Sequence, residues 1–341
     1  MKITIIGIDL AKDVFQVHGI DERGKIVLRK QLKRTQMAPF FANLAPCLIG
    51  MEACGSAHYW ARKLQDDGHT VKLMAPQFVK PYVETNKHDA ADAEAICEAV
   101  QRPTMRFVPI KNIEQQAILA VHRARQGMIK ARTAQANQIR GLLREFGLVV
   151  PVGIGFIYQR VPDLLDQASN DLPGVFRELM LRLVEHMKDL DRQVNELERQ
   201  INVWHRSNAL SRKLEKVPGI GPITASALVA SIGDAKSFAN GRQLAAWLGL
   251  VPKQHSTGGK THLQGISKRG DRYLGTLLIH GGRAIIRCAG QKLATTNSWF
   301  NRILARRHKN VVTVALANRN ARIVWALPAH DREFRADYAS A

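Results

Sequence analysis

Asp9, Glu52, Asp89 and Asp92 are the side chains of this sequence whose types and spacing best suit catalysis. Asp9 closes the apolar run ITIIGID (3–9) in Gly7-Ile8-Asp9, and Glu52 lies at the end of CLIGMEA (47–53) in Gly50-Met51-Glu52. Asp89 and Asp92 stand three apart at the predicted start of a helix, which puts both on one helical face. Carboxylates brought together repel one another unless cations neutralise them. Hard oxygen ligands of this kind suit Mg²⁺ or Mn²⁺. Two such ions ~3.5–4 Å apart can stabilise both the attacking and the leaving oxygen of a phosphoryl displacement. Taken singly, each acid has a plainer reading; Asp89 and Asp92, for example, are also the first-turn acids that a helix dipole favours. It is the set, in this order and on these elements, that points to a metal site.

The elements must then bring the four acids together. After the first apolar run, VFQVHGI (14–20) and KIVLRKQL (25–32) follow across short turns, which predicts a three-strand antiparallel meander. A helix over about 36–45, a strand at 47–53, a helix at about 56–67, a strand at 70–75 and a helix from Asp89 complete the series. Three strands followed by alternating helices and strands is the element order of an RNase H-like, RuvC-like fold: an α/β domain with a mixed sheet covered on both faces. There the first and fourth strands are neighbours, so Asp9 and Glu52 are expected side by side. Actin-like ATPases and sugar kinases also open on Gly-Ile-Asp, but no glycine-rich phosphate loop follows Leu10, Ala11 and Lys12 here.

Beyond residue 112 the pattern turns mainly all-α. Residues 113–146 read as a basic helix with Arg123, Arg125, Lys130, Arg132, Arg140 and Arg144, either a solvated charged face or a nucleic-acid contact. A Gly- and Pro-richer connector follows, and then Phe176, Met180, Leu183, Met187, Leu190, Val194, Leu197, Ile201 and Trp204 keep the 4-3 spacing of a coiled-coil seam. Its partner is either the basic helix or a second subunit. Pro218-Gly219-Ile220-Gly221 between helical stretches matches a helix-hairpin-helix, in which Gly219 and Gly221 would let backbone N–H groups approach a phosphate; a tight turn between packed helices is the alternative. The expected boundaries are 1–112 for the catalytic domain, 113–208 for the basic and coiled-coil region, and 209–341 for the C-terminal domain.

Lys and Arg number 50 against 29 Asp and Glu, a formal charge of +21, which favours a polyanionic partner and nucleic acid first. Residues 251–310 concentrate that charge in Lys260, Lys268, Arg269 and Arg272 among others, with Asp271 the acid between them, and form the strongest candidate phosphate-backbone surface. No apolar run reaches the ~18 residues of a membrane span. A cytoplasmic location is expected, with no membrane partner and with Cys47, Cys54, Cys97 and Cys288 as reduced thiols, too scattered for a zinc or disulfide framework.

With the four acids, the coiled coil, the PGIG hairpin, GLVPKQHSTGGK (249–260) and ISKRGD (266–271), the chain resembles over nearly its whole length the DEDD transposases of insertion-sequence family 110, its 1111 branch in particular. That resemblance implies a RuvC-like metal site on the four acids, a serine nucleophile toward DNA in the C-terminal transposase domain, a noncoding bridge RNA pairing with donor and target DNA, and a dimer or tetramer with composite active sites. Ser256 is the residue onto which the nucleophile carries best, with Thr257 the alternative because the serine of the family usually stands immediately before the glycine. A hydroxyl is a poor nucleophile unless a base or metal activates it. Lys260, Lys268 and Arg269 could stabilise charge on the phosphorus, and His255 and His262 flank the loop. Two other functions fit parts of this pattern: a junction resolvase of the RuvC type that needs the acids but no serine, and a non-enzymatic nucleic-acid scaffold that needs only the basic surfaces.

Overall fold

The computed structural model describes residues 2–83, 88–167, 171–289 and 298–335. The chain divides into two compact units, Met1–Ile113 and Glu114–Ala341.

The first unit is built on a six-stranded sheet ordered β3-β2-β1-β4-β5-β6. Its strands are β1 (Ile5–Leu10), β2 (Val14–Ile20), β3 (Ile26–Lys33), β4 (Leu48–Glu52), β5 (Thr70–Met74) and the short β6 (Phe107–Val108). The meander β1-β2-β3 is antiparallel, β4 and β5 run parallel to β1, and β6 closes the edge antiparallel to β5. This is the mixed sheet that the element order predicts; β6 has no counterpart in that expectation, because two residues carry no periodicity. Alternation along the strands sorts the two faces. Ile6, Ile8, Phe15, Val17, Ile49, Met51, Val71 and Leu73 pack under α1 (Arg34–Ala42) and α2 (Ala57–Asp66), where Phe41, Trp60 and Leu64 are buried. The short α3 (Pro76–Val79) leads on toward α4 (Asp89–Ala99), which covers the opposite face with Ala95, Ile96 and Ala99 against Ile5, Leu48 and Met74.

The second unit opens with α5 (Ile113–Glu145), α6 (Ile154–Asp166) and α7 (Gly174–Ser207). The seam partner of α7 is α5 of the same chain. Ile139 and Leu143 join Phe176, Met180, Val184 and Met187 in one apolar cluster near the α6 end, while Ile118 and Leu119 meet Ile201 at the other. The two helices therefore run antiparallel. Arg125–Glu198 and Arg132–Asp191 are ion pairs along the seam, so part of the basic stripe on α5 is spent inside the protein. Val184 takes the buried place that the 4-3 pattern gave to Leu183.

The remainder packs α8 (Ala209–Glu215), α9 (Pro222–Ile232), α10 (Gly241–Trp247), α11 (Arg272–Ala289) and α13 (Lys309–Ala329) around Leu228, Leu244, Leu278, Ala317 and Val324, with α12 (Ser298–Arg306) resting on α11 and α13. His122 of α5 is 1% exposed and bonded at Nε2 to Ser226 Oγ of α9 (3.1 Å) and at Nδ1 to the Tyr273 hydroxyl of α11 (2.9 Å), so one polar knot ties three helices. Burial, with the charge of Arg125 adding to it, pushes this imidazole down to about 4 from an ordinary 6.5. Because the folded value lies below the unfolded one, the knot stabilises the fold fully above about pH 6.5 and loses that contribution as pH falls toward 4, an effect of order 3 kcal/mol. The expected result is that denaturant midpoints of wild type and His122→Gln, far apart at neutral pH, converge between about pH 6 and 4. A gap that stays constant over that window would remove His122 from the acid response.

Candidate metal centre and nucleic-acid surface

Asp9 sits one residue before the end of β1, where Gln16 of β2 is its cross-strand partner. The parallel register of β1 on β4 pairs Gly7 with Gly50 and Ile8 with Met51, so the next step places Asp9 beside Glu52. Gly7, Asp9, Gly50 and Glu52 alternate with buried Ile8 and Met51 and therefore share the α4 face. The glycines decide how close α4 can come. A Cβ on Gly7 would overlap the backbone at Ala93 and Cys97, and one on Gly50 would lie 2.8 Å from Val100 Cβ. With no side chains in the way, α4 lies directly on the two strands and its first turn projects over their acidic ends. His88 caps the helix by accepting a bond from the Ala91 N–H at Nδ1 (3.2 Å).

The consequence is a cluster. Asp9, Asp89 and Asp92 each offer a carboxylate oxygen, and these atoms lie within 4.8 Å of one another. Asp9 and Asp92 are half-buried and Asp89 is exposed, so the cluster opens to solvent. Glu52, half-buried at the end of β4, flanks this trio and falls outside the 4.8 Å group. Cys54 is close enough for both Glu52 and Asp9 to add to the upward push that burial gives its thiol. An oxygen-only donor set of this charge fits a hard divalent cation and offers no soft ligand preference beyond that one thiol.

In the second unit Ser256 lies on a β-hairpin, β7 (Pro252–Thr257) and β8 (Lys260–Ile266), where the sequence pattern predicts a loop. Gly258 and Gly259 take positive φ values of 53° and 76°, the two-residue turn that matches strand twist and that side chains resist. Residues Pro252–Gly265 are all exposed, with half-buried Val251 and Ile266 at the base, so the hairpin projects from its unit. Its register pairs Ser256 with Thr261, Thr257 with Lys260 and His255 with His262. Ser256, Thr261 and Gln254 thus share one face of the ribbon, and Gln254 Nε2 donates to Ser256 Oγ at 2.8 Å. Thr257, Lys260, His255 and His262 share the other. Lys260 and the two histidines are therefore placed beside Thr257 and turned away from Ser256.

The segment ISKRGD is largely scaffold for this hairpin. Lys268 N–H donates to Gly249 O (3.1 Å) and Ser267 N–H to Val251 O (2.7 Å), fixing the ribbon base, while Lys268 itself has a positive φ of 53°. Asp271 Oδ1 accepts from the N–H groups of Tyr273 (2.9 Å) and Leu274 (3.0 Å) and so caps α11. The side chains of Lys268, Arg269 and Arg272 remain exposed around that base.

The two glycines of the PGIG turn have different jobs. Gly219, at φ 81°, packs onto α11: a Cβ there would lie 2.8 Å from both Gly281 O and Ile285 Cδ1. That close approach is packing, so the fold itself requires the absence of a side chain at Gly219. Gly221 is exposed, with nothing within 4 Å of where its Cβ would stand. Asn320 Nδ2 donates to Pro218 O (2.8 Å) and holds the turn to α13.

Among the described residues no helix is long and apolar enough to cross a membrane. A DEDD transposase family model of the IS110 type matches residues 6–147, and one described as "Transposase IS116/IS110/IS902 family" matches residues 211–297. The "Probable family 20 transposase" of Pseudomonas aeruginosa is 54% identical over 336 residues, covering 98% of this chain and 99% of that one. The "Transposase for insertion sequence element IS1328" of Yersinia enterocolitica is 42% identical over 96% of this chain and 97% of its own length. The "Transposase for insertion sequence element IS1111A" of Coxiella burnetii is 41% identical over 98% of this chain and 92% of its own. Matches of this extent, carrying both halves of the architecture, establish that the chain belongs to the IS116/IS110/IS902 family of insertion-sequence transposases.

Proposed function

We propose that this transposase cuts and rejoins DNA strands at the ends of an insertion sequence with Mg²⁺ or Mn²⁺ held by Asp9, Asp89, Asp92 and Glu52, through a transient link between DNA and Ser256. The observation that carries the reading is the meeting of Asp9, Asp89 and Asp92 within 4.8 Å at the ends of elements far apart in sequence. A bound divalent ion at such a site supplies charge to activate a hydroxyl and to stabilise a leaving oxygen. The residues themselves gather that charge: β1 and β4 hold two acids in register, and the close seat of α4 adds two more. Ser256 Oγ forms a bond to phosphorus while a phosphodiester P–O bond breaks, the serine proton passing to solvent and the departing deoxyribose oxygen taking one up. Attack by an incoming strand hydroxyl then reverses the step and frees the serine. The exposed hairpin supports this, since a nucleophile for a duplex must reach beyond the protein surface.

Family resemblance supports the remaining partners: donor and target DNA, a noncoding bridge RNA that pairs with both and so sets the sequence read, and a homo-oligomer, dimer or tetramer. The experiment is an in vitro reaction with donor and target DNA and copurified RNA. EDTA is expected to abolish joined product and Mg²⁺ or Mn²⁺ to restore it, and ribonuclease treatment before DNA addition is expected to abolish it as well. Product formed in EDTA would overturn the metal centre; product formed after ribonuclease would overturn the RNA guide.

A further inference from the structure

A second site lies in the second unit where α10 meets α13. Gly241, at the start of α10, is buried against Arg322: a Cβ there would lie 2.9 Å from Arg322 Cα and 3.0 Å from its carbonyl oxygen. This backbone approach brings the exposed Arg242 and Arg322 to one rim. Between them is a cavity of about 280 Å³ lined by Asn240, Gly241, Arg242, Arg322, Trp325 and Ala326. Among the described residues, the lining contains no Asp or Glu to neutralise the two guanidinium groups. One turn before Arg322, Arg319 lies over the Trp299 ring (4.8 Å), and burial together with the charge of Arg322 makes its guanidinium easier to deprotonate than usual. Arg242 of α10 and Arg322 of α13 therefore bring positive charge to one rim, with Arg319 one turn away on α13 adding to it.

The aromatic wall of the cavity is rigid. Trp325 Nε1 donates to both Ala235 O and Phe238 O at 3.1 Å, which fixes the indole in its plane, and His330 meets the ring edge-on at 5.1 Å. A flat, preoriented indole beside paired guanidinium forks matches the parts of a nucleotide: arginine recognises phosphate oxygens in a bidentate manner, and an aromatic face stacks a base. A duplex keeps its bases stacked on each other, whereas a single strand can offer one.

We propose that Arg242, Arg322 and Trp325 form a single-stranded nucleotide subsite, with the guanidinium groups on a backbone phosphate and an unstacked base against the indole. The strand is either DNA opened at the reaction site or an unpaired stretch of the RNA partner, and the chemistry recognised is the same in both. The subsite is independent of the acid cluster and of Ser256, and its binding needs no metal.

The test uses full-length protein in EDTA and single-stranded DNA and RNA oligonucleotides of about 12 nucleotides, with a duplex as comparison, read by fluorescence anisotropy across a salt titration. Arg242→Gln/Arg322→Gln is expected to weaken binding of at least one single strand about tenfold or more and to flatten its salt dependence, while duplex binding changes little. Loss confined to the DNA strand or to the RNA strand identifies which one occupies the subsite. In Trp325→Phe, the part of the tryptophan quenching that strand binding causes at this ring is expected to disappear. Arg242→Lys/Arg322→Lys, which keeps the charge and loses the fork, should recover the salt slope and only part of the affinity. Thermal midpoints matching wild type establish that the glutamine variant is folded; if it is not, the lysine variant and the quenching carry the test. Unchanged affinity and salt slope for both single strands in the folded variants would overturn the subsite. Because binding is read in EDTA, where no metal-dependent cleavage or joining runs, a failure of the strand-transfer reading leaves this result unaffected.

Discussion

Asp9→Asn is expected to lower DNA cleavage and joining by at least about 10³-fold while leaving the fold intact, and Asp92→Asn to behave alike. Asparagine has the shape of aspartate without its charge, so the packing of β1 and α4 is untouched. What changes is the electrostatics. In the absence of cation, Asp9, Asp89 and Asp92 within 4.8 Å repel, and removing one charge should keep or raise the thermal midpoint measured in EDTA. Adding Mg²⁺ should raise the wild-type midpoint, since a ligand that binds only the folded state stabilises it, and should raise that of Asp9→Asn much less. The two readouts separate causes: a structural role would lower the EDTA midpoint, and a metal-holding role would erase the Mg²⁺ increment. Wild-type turnover together with a wild-type Mg²⁺ increment in Asp9→Asn would end the metal-centre reading.

Ser256→Ala is expected to remove both the covalent protein–DNA adduct and strand transfer, by about 10⁴-fold or more, since without the attacking oxygen the first bond cannot form. The measurement is a labelled strand that comigrates with denatured protein. Thr257→Val is the paired variant because the hairpin puts the two hydroxyls on opposite faces, Ser256 beside Gln254 and Thr257 beside Lys260, His255 and His262. Adduct retained in Thr257→Val and lost in Ser256→Ala assigns the nucleophile to Ser256, and the reverse pattern moves it to Thr257 with basic neighbours already in place. Cleavage that persists in Ser256→Ala and Thr257→Val without any adduct would instead make the chain a hydrolytic nuclease.

Local sequence was enough for most elements of the first unit. Short apolar runs at 3–9, 14–20 and 47–53 placed β1, β2 and β4 to within about two residues, because a strand covered on both faces is written as a near-continuous apolar stretch. The repeated Gly-X-acid pattern, Gly7-Ile8-Asp9 and Gly50-Met51-Glu52, also contained the reason why α4 can sit so low, although only its acids were legible as chemistry. In the second unit the heptad-like spacing of 176–204 announced a seam but not its partner, since such a stripe is satisfied equally by an intramolecular or an intermolecular helix. HSTGGKTH reads as a loop because its residues are polar on both faces; a projecting hairpin has no buried side to write a pattern.

The sequence by itself therefore determined the family, the strand and helix order of the first unit, the four acids and the basic bias of the chain, because each is recorded in residue type and short-range spacing. Only the tertiary structure decided which acids meet within 4.8 Å, which hydroxyl shares a face with Lys260, that Gly219 serves packing, and that Arg242 stands beside Arg322 and Trp325. Those are distances between residues far apart along the chain. They are set by where backbones can approach, at Gly7, Gly50 and Gly241, and no window of neighbouring residues encodes them.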